Sequence, residues 1–152
     1  MIPKMYFDTS VFGGVFDQEF EEETKKLFEM VKTGEIVCMY SDIVELELET
    51  APKWVKEHFR NLSHQAMAFI EIDETSENLA RQYLIEGVVG KTSLDDCRHI
   101  AMATVHKADF LVSWNFKHIV NVFRIQGYNA INLKNGYRPL EIRSPKDIVS
   151  HG

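Results

Sequence analysis

The chain has 152 residues, of which 45% are hydrophobic and 26% are charged. A chain of this length fits one domain and buries roughly 70% of its unfolded surface on folding, so neither disorder nor a fibrous repeat is indicated. Its 23 acidic and 17 basic residues give a formal net charge of −6, which argues against a protein that coats nucleic acid by bulk attraction. A nuclease is not excluded, because acids gathered around a divalent cation are neutralised locally.

Apolar runs alternate with helical patterns along the chain. The predicted strands are 5–7, 36–40, 68–72, 110–113 and 130–133. The predicted helices are 19–32, 43–50, 53–60, 76–87 and 94–107. Because the strands are continuous apolar runs separated by helices, the pattern predicts an α/β fold with a largely parallel sheet covered on both faces.

The last part of the chain has a different composition. Gly136, Pro139 and Pro145 surround the run Leu140-Glu141-Ile142, which predicts a loop, a short edge strand and a final turn. We therefore expect one domain over residues 1–152, with residues 135–152 as a C-terminal extension.

The two cysteines and the lack of long apolar runs in the sequence indicate the cellular compartment. Cys38 and Cys97 are too far apart for a zinc or redox motif, and both are predicted to be core thiols in a reducing compartment. The N-terminus lacks the pattern of a signal peptide, and no run of about 18 apolar residues could span a bilayer. We expect a cytoplasmic protein without a membrane partner.

Polar side chains directly follow several predicted strands. These are Asp8 with Thr9 and Ser10, the pair Ser41-Asp42, and the segment Ser113-Trp114-Asn115. Ligand sites of open α/β sheets lie beyond the carboxyl ends of the strands. The same residue types are also ordinary turn and N-cap residues, so both interpretations stay open for each of them.

Helical periodicity separates two neighbouring glutamates. Residues advance by about 100° each along a helix, so Glu45 and Glu47 point nearly opposite ways. Glu47 falls on the face that carries Ile43, Leu46 and Thr50. A carboxylate on a packed face is costly unless it is paired or bound to metal, which makes Glu47 the better site candidate.

The same test does not separate Asp95 from Asp96. Both flank the apolar stripe of their helix at comparable angles of about 130°. Either one would also be favoured near a helix N-terminus for electrostatic reasons alone. Periodicity therefore leaves the choice between them open.

Four segments together resemble the PIN-domain family, in particular proteins of the VapC toxin type. They are MYFDTSVFGG around Asp8, SDIVELELE around Glu47, DDCRHIAMA around Asp96, and ADFLVSWNFKHIVN around Asn115. The resemblance spans roughly residues 1–133. It implies a three-layer α/β/α sandwich with a mostly parallel central sheet, and a divalent-metal site that cleaves RNA phosphodiester bonds.

The resemblance also implies roles for individual residues. Asp8, Glu47 and Asp96 match the first three acids of the family and are expected to be catalytic metal ligands, with Asp95 as a neighbour. At the fourth position the family often has Asp, and this chain has Asn115, which offers a neutral carbonyl oxygen and an amide donor. Three carboxylates suffice for one Mg²⁺ or Mn²⁺ with several waters, whereas a second metal site is weakened.

Several other residues are secondary candidates, each with a structural alternative. Ser113 is expected to contact water or phosphate together with Asn115, and Lys91, Lys117 and His118 are either phosphate contacts or solvated surface cations. His99 is expected to bond Asp96, to contact RNA, or to be a structural histidine. Trp114 and Phe116 either stack on a splayed base or belong to the core or an interface.

Other enzyme classes fit the pattern less well. A phosphoaspartyl hydrolase needs a second acid two residues after Asp8, and position 10 is Ser. A receiver domain needs paired acids after its first strand, whereas Asp95-Asp96 opens a late helix. The stronger alternative is a catalytically weak or inactive PIN-like binding module. The toxin resemblance further implies a type II toxin–antitoxin pair, a cognate antitoxin and a homodimer.

Overall fold

The structure is a computed structural model that describes residues 1–62, 64–87 and 93–150. Its centre is a five-stranded sheet in the order β3-β2-β1-β4-β5, and every neighbouring pair of strands is parallel. The strands are β1 Lys4–Phe7, β2 Val37–Ser41, β3 Met67–Ile70, β4 Phe110–Val112 and β5 Glu141–Arg143. The first four confirm predicted strands to within two residues at each end.

Helices connect the strands and cover the sheet. They are α1 Thr9–Gly13, α2 Glu21–Lys32, α3 Asp42–Leu48, α4 Lys53–Asn61, α5 Glu74–Ile85, α6 Leu94–Val105, α7 Val122–Lys134 and α8 Pro145–Val149, with 3₁₀ turns at Gly14–Phe16 and His64–Ala66. The five predicted helices are all confirmed. Ser93 caps α6 as predicted, since its side chain accepts a hydrogen bond from the backbone N–H of Asp96.

The prediction of a strand over 130–133 was wrong, because these residues lie in α7. Asn121 starts that helix by accepting hydrogen bonds from the backbone N–H groups of Phe123 and Arg124. Ile131 and Asn132 are both buried whereas Leu133 is 60% exposed, a pattern that a strand with alternating sides would not give. The apolar run is therefore one turn of a helix that packs on the sheet.

The fifth strand comes instead from the last part of the chain. β5 is the short edge strand predicted around Leu140-Glu141-Ile142, and Ile142 pairs with Leu111 of β4. The final turn is α8, which begins with a capping box between Ser144 and Asp147 and packs against α2. Residues 135–150, predicted as an extension, thus contribute an edge strand to the central sheet.

Alternate residues of each strand point to opposite faces and form two apolar cores. Met5 and Phe7 of β1 pack with α1, α2 and α4, whereas Tyr6 packs on the other side with α5, α6 and α7. The predicted three-layer α/β/α sandwich is thereby confirmed. Cys38 and Cys97 are buried, free thiols in the two different cores. Among the described helices, none is both long and apolar enough to cross a bilayer.

The parallel register brings the carboxyl ends of the strands to one edge of the sheet. β1 lies between β2 and β4, so the chain winds outward in opposite directions on either side of it. This change of direction is where open α/β sheets leave a crevice for ligands. Asp8 and Ser113 are the first residues beyond β1 and β4, and they lie at this position.

Candidate active site

Asp8 is a buried carboxylate at the end of β1, only 3% exposed. Its Oδ1 accepts a hydrogen bond from Ser10 Oγ at 2.6 Å, and its Oδ2 accepts one from Ser113 Oγ at 2.5 Å. Burial raises the pKa of Asp8 and the negative charge of Asp96 adds to the rise, while His99 and the two serine hydroxyls oppose it. Asp8 is therefore a carboxyl whose negative charge is poorly solvated.

The loop after β4 is tied to Asp8 by a small set of hydrogen bonds. Ser113 Oγ accepts from the backbone N–H of Asn115 at 2.9 Å, and Ser10 Oγ accepts from the N–H of Trp114 at 2.9 Å. The structure therefore places Ser113 directly at Asp8, as the strand order suggests. Asn115 lies two residues further on, and its Oδ1 accepts from the N–H of His118 at 3.0 Å.

Glu47 reaches the same edge from the last turn of α3. Its Oε1 accepts hydrogen bonds from Thr9 Oγ1 at 2.8 Å and from His99 Nε2 at 2.5 Å. Burial would raise the pKa of Glu47, but the hydrogen bond and charge of His99, together with Thr9, outweigh it and lower that pKa. Glu45 is exposed, as predicted. The predicted packed face was wrong in part, because Leu46 and Thr50 are also exposed and the buried residues of α3 are Ile43, Val44 and Leu48.

His99 lies inside the fold and bonds through both ring nitrogens. Its Nδ1 is 2.6 Å from Tyr6 Oη, and that hydroxyl is 2.7 Å from Ser41 Oγ. Burial would lower the pKa of His99, but Glu47 and the charges of Asp8 and Asp96 raise it overall. The sequence placed Asp96 near His99 on the same helix. The structure instead joins His99 to Glu47, because the ring points toward the sheet and Tyr6.

The contacts of Asp95 and Asp96 separate the two residues that periodicity could not. Asp95 Oδ1 accepts from Arg98 Nη1 at 2.9 Å, and Arg98 also forms two hydrogen bonds with Glu77 of α5, so Asp95 belongs to an ion-pair cluster between α5 and α6. Burial raises the pKa of Asp96, opposed by His99 and increased by Glu47. Asp96 is thus the aspartate on the side of Glu47 and His99.

Three of the contacts at this edge were not predicted. Tyr6, Thr9 and Ser10 supply hydroxyl groups that hold His99, Glu47 and Asp8, respectively. Tyr6 could have been found from the sequence, since it is the one residue with a polar end among the apolar residues of β1 and faces away from Met5 and Phe7. Thr9 and Ser10 are visible only as small polar residues next to Asp8.

The donor set matches a hard divalent cation in its chemistry. Asp8, Glu47 and Asp96 offer carboxylate oxygens, and their charges interact closely enough for Asp96 to raise the pKa of Asp8. Within residues 1–62, 64–87 and 93–150, however, no three Asp, Glu, His or Cys side chains are grouped so that they could hold one metal ion together. The oxygens of Asp8 and Oε1 of Glu47 are instead occupied by hydroxyl and imidazole donors.

The predicted phosphate contacts are dispersed. Lys117 is exposed beyond the Ser113–Asn115 loop, and Lys91 lies outside the described residues. His118 follows in the same loop, and its charge lowers the pKa of Asp96. His118 is therefore electrostatically linked to Asp96, and its backbone N–H donates to Oδ1 of Asn115.

An aromatic cluster lies next to the acids. Trp114 is buried, stacks on Phe20 with ring centroids 4.0 Å apart, and donates from Nε1 to Thr24 Oγ1 at 2.8 Å. Gly14 lies beneath this ring, where a Cβ would come within 2.7 Å of Trp114 Nε1. Phe116 contacts Trp114 edge-on at 5.9 Å and is 48% exposed, so Trp114 is a core residue and only Phe116 offers a free ring surface.

Comparison with solved structures relates this architecture to known proteins. FitAcB from Neisseria gonorrhoeae aligns over 93% of this chain and 97% of its own, with a TM-score of 0.61 and 12% identity. DNA-bound VapBC from Salmonella typhimurium aligns over 95% of this chain and 99% of its own, with a TM-score of 0.60 and 12% identity. VapC20 from Mycobacterium tuberculosis, a sarcin-ricin loop cleaving toxin, aligns over 75% of this chain and 92% of its own, with a TM-score of 0.58 and 13% identity.

The chain has a PIN-type fold, which it shares with these structures. This confirms the fold that the four sequence segments implied. No family model and no curated protein matches the sequence. At 12–13% identity the likeness concerns the path of the backbone, and the chemistry of this PIN-type chain depends on its own residues.

Proposed function

We propose that this PIN-type protein is a divalent-metal-dependent endoribonuclease that uses Mg²⁺ or Mn²⁺. The observation that supports the proposal is that Asp8, Glu47 and Asp96, contributed by the end of β1, by α3 and by α6, interact electrostatically around His99 at the carboxyl edge of the sheet, although these three side chains are not grouped around one point. Each of the three acids either shifts the pKa of another or shares His99 with it. Among the described residues, the cationic groups that lower the pKa values of these acids are His99 and, for Asp96, His118. A cluster of interacting acids favours a bound cation.

Each of these residues is assigned a separate role in phosphodiester cleavage. Asp8 and Asp96 would hold the cation, and Glu47 would serve as a further ligand or orient the attacking water. A bound divalent cation lowers the pKa of its water and stabilises charge on the phosphoryl oxygens. Ser113 and Asn115 would contact water or a substrate phosphate, and exposed Lys117 would meet the RNA backbone. Each oxygen of Asp8 accepts one side-chain hydrogen bond and both bonds to Glu47 go to Oε1, so a cation would use the remaining lone pairs of Asp8 and Oε2 of Glu47.

Cleavage assays with matched variants test this proposal. Purified protein with Mg²⁺ or Mn²⁺ is expected to cleave structured RNA, and Asp8→Asn or Asp96→Asn to abolish cleavage while the far-ultraviolet circular dichroism stays unchanged. Asp95→Asn is the control for Asp96, since Asp95 pairs with Arg98, and exposed Glu45→Gln is the control for Glu47→Gln. Activity that persists in both Asp8→Asn and Asp96→Asn would come from a contaminating nuclease and would refute the proposal.

A catalytically weak or inactive binding module is the second candidate function. One observation favours it: the fourth position is Asn115, whose side-chain oxygen is already bonded to the backbone of His118. The same assay separates the two functions. Mn²⁺ binding without cleavage of any RNA would favour the module.

The biological role that we propose is the toxin of a type II toxin–antitoxin pair. Solved structures with this fold include VapBC bound to DNA and a toxin–antitoxin complex from Klebsiella pneumoniae. A cognate antitoxin, a homodimer and a cytoplasmic location are parts of this proposal. A short reading frame for a DNA-binding protein beside the gene, growth arrest on expression, and rescue by co-expression of that frame would support it.

A further inference from the structure

Glu47 is held by one of its two carboxylate oxygens. Thr9 Oγ1 at 2.8 Å and His99 Nε2 at 2.5 Å both bond Oε1. Among residues 1–62, 64–87 and 93–150, no hydrogen bond to Oε2 accompanies them. The carboxylate is therefore fixed at one oxygen and available at the other.

The histidine that fixes this oxygen is itself fixed. His99 is 1% exposed, and its Nδ1 lies 2.6 Å from Tyr6 Oη, which lies 2.7 Å from Ser41 Oγ. An ionised carboxylate only accepts hydrogen bonds, so His99 donates through Nε2. With a neutral ring, Tyr6 donates to Nδ1 and Ser41 donates to Tyr6, which orders three buried side chains behind Glu47.

These hydrogen bonds are of the kind that orient a functional carboxylate. Burying an imidazole and a phenol hydroxyl costs folding free energy unless their polar atoms are hydrogen-bonded. Apolar side chains would fill the same space without that cost. Hydrogen-bonded partners behind ligand side chains set their orientation and typically change metal affinity or activity by about 10–100-fold when removed. Tyr6, Thr9 and Ser41 come from β1, α1 and the end of β2, respectively, so the support is built from regular elements of the fold.

We propose that His99 is a positioning residue for Glu47: backed by Tyr6 and Ser41, it holds Oε1 so that Oε2 remains free for a divalent cation or a water molecule. This role rests on the proposed function. His99 does not contact RNA in this account, and it acts only through the carboxylate of Glu47.

Mn²⁺ binding and RNA cleavage in His99 variants test the proposal. His99→Leu removes the donor, and the apparent Kd for Mn²⁺, measured from the electron paramagnetic resonance of free Mn²⁺, is expected to rise about 10–100-fold. His99→Gln keeps an amide donor near the position of Nε2 and is expected to restore most of the affinity. In cleavage assays we expect kcat to fall in His99→Leu while KM for RNA is unchanged.

The dependence on Glu47 distinguishes positioning from general support of the fold. In a Glu47→Gln background, His99→Leu is expected to cause no further loss of Mn²⁺ affinity. His106, at the end of the same helix and 3.1 Å from Asp73 Oδ2, is the matched control, and His106→Leu should bind Mn²⁺ as the wild type does. Equal losses in His99→Leu and His99→Gln, or an undiminished loss in the Glu47→Gln background, would overturn the proposal.

Three further outcomes are decisive. If His99→Leu does not fold, Tyr6→Phe removes only the hydroxyl behind the ring, and it should weaken Mn²⁺ binding to a smaller extent; wild-type affinity in that variant would overturn the positioning role. A wild-type protein that binds Mn²⁺ but cleaves no RNA refutes the nuclease and leaves the His99 test in force. A wild-type protein that binds no Mn²⁺ refutes both.

Discussion

Ser113 Oγ donates a hydrogen bond of 2.5 Å to Asp8 Oδ2, and this contact joins the ends of β1 and β4 across 105 residues of sequence. Both residues are buried. Ser113→Ala leaves one oxygen of a buried carboxylate without its donor, which typically costs about 1–3 kcal/mol. We expect the free energy of unfolding at pH 7, measured by urea denaturation, to fall by about that amount.

Ser76 provides the matched control for this substitution. It is as fully buried as Ser113, but its Oγ has no hydrogen-bond partner within the described part of the chain. Ser76→Ala should therefore leave the unfolding free energy unchanged or raise it slightly. Equal destabilisation by the two substitutions would mean that the Ser113–Asp8 bond contributes nothing specific.

Asp8→Asn is expected to stabilise the protein while it removes activity. Burial raises the pKa of Asp8 in the folded state, so ionisation costs folding free energy as pH rises above the ordinary aspartate pKa of about 3.9. Asparagine avoids that cost, and relief of an active-site charge commonly adds about 1 kcal/mol. The gain should be present at pH 7 in metal-free buffer and disappear below about pH 4, where aspartate is protonated in both states.

Asp73 gives a control of opposite sign. Burial would raise its pKa, but the hydrogen bond from the backbone N–H of Ser76 and the charge of His106 lower it overall, so its contribution to stability is present above the ordinary aspartate pKa and is lost as pH falls. Asp73→Asn should therefore destabilise the protein at pH 7 and have little effect in acid. A loss of stability at pH 7 in Asp8→Asn as well would contradict the assignment of Asp8 as a poorly solvated charge.

Asn115→Asp tests the fourth position of the site. Aspartate can accept the hydrogen bond from the N–H of His118 as asparagine does, so the loop should keep its shape. The added negative charge is expected to lower the apparent Kd for Mn²⁺ and to increase the rate of RNA cleavage. Isothermal titration calorimetry and a single-turnover cleavage assay measure the two effects.

Asn121→Asp is the control for that charge. Asn121 Oδ1 accepts from two backbone N–H groups at the start of α7, a position that aspartate suits equally well. The same chemical change at this position should leave Mn²⁺ affinity and cleavage as in the wild type. Equal effects of the two substitutions would assign the gain to net charge and not to the site.

Phe116→Ala tests whether the exposed ring stacks on a base. Ring stacking on a nucleobase is worth about 1–3 kcal/mol, so affinity for a single-stranded oligoribonucleotide should fall about 5–100-fold. Fluorescence anisotropy in the Asp8→Asn background measures binding without cleavage. Phe116→Tyr should retain the affinity, and Phe123→Ala, which removes an 80% exposed ring of α7, should not change it. Unchanged binding by Phe116→Ala would exclude a stacking role.

Local patterns in the sequence were sufficient for most of the secondary structure. Continuous apolar runs mark β1 to β4, and helical periodicity marks α2 to α6, because both patterns depend only on how often a residue faces the core. The prediction for residues 130–133 was wrong because a short run with three apolar residues fits a strand and a helical turn equally well. Its assignment required the cap at Asn121 and the buried contacts of Asn132 with Tyr83 and Thr104.

The same division holds for the candidate site. One-dimensional reasoning distinguished Glu47 from Glu45, because they lie on opposite faces of one helix. It could not distinguish Asp95 from Asp96, which are symmetric about the apolar stripe of α6. It also left His99 open between a bond to Asp96, a contact with RNA and a structural role. Arg98 pairs with both Asp95 and Glu77, and Tyr6 orients His99 toward Glu47. These contacts span up to 93 residues of sequence.

Sequence alone determined which residue types lie at the ends of strands, since alternation and helix period are properties of the local chain. Tertiary structure alone decided which of those residues meet. Strand order and parallel register bring together side chains near the ends of β1, α3 and β4 and at the start of α6, and the sequence separation of these residues carries no information about their distance. Hydrogen bonds such as Ser113–Asp8 and His99–Glu47 form only when β2 and β4 have paired with β1 and the helices have packed on the sheet. Their energies depend on burial that no local pattern specifies.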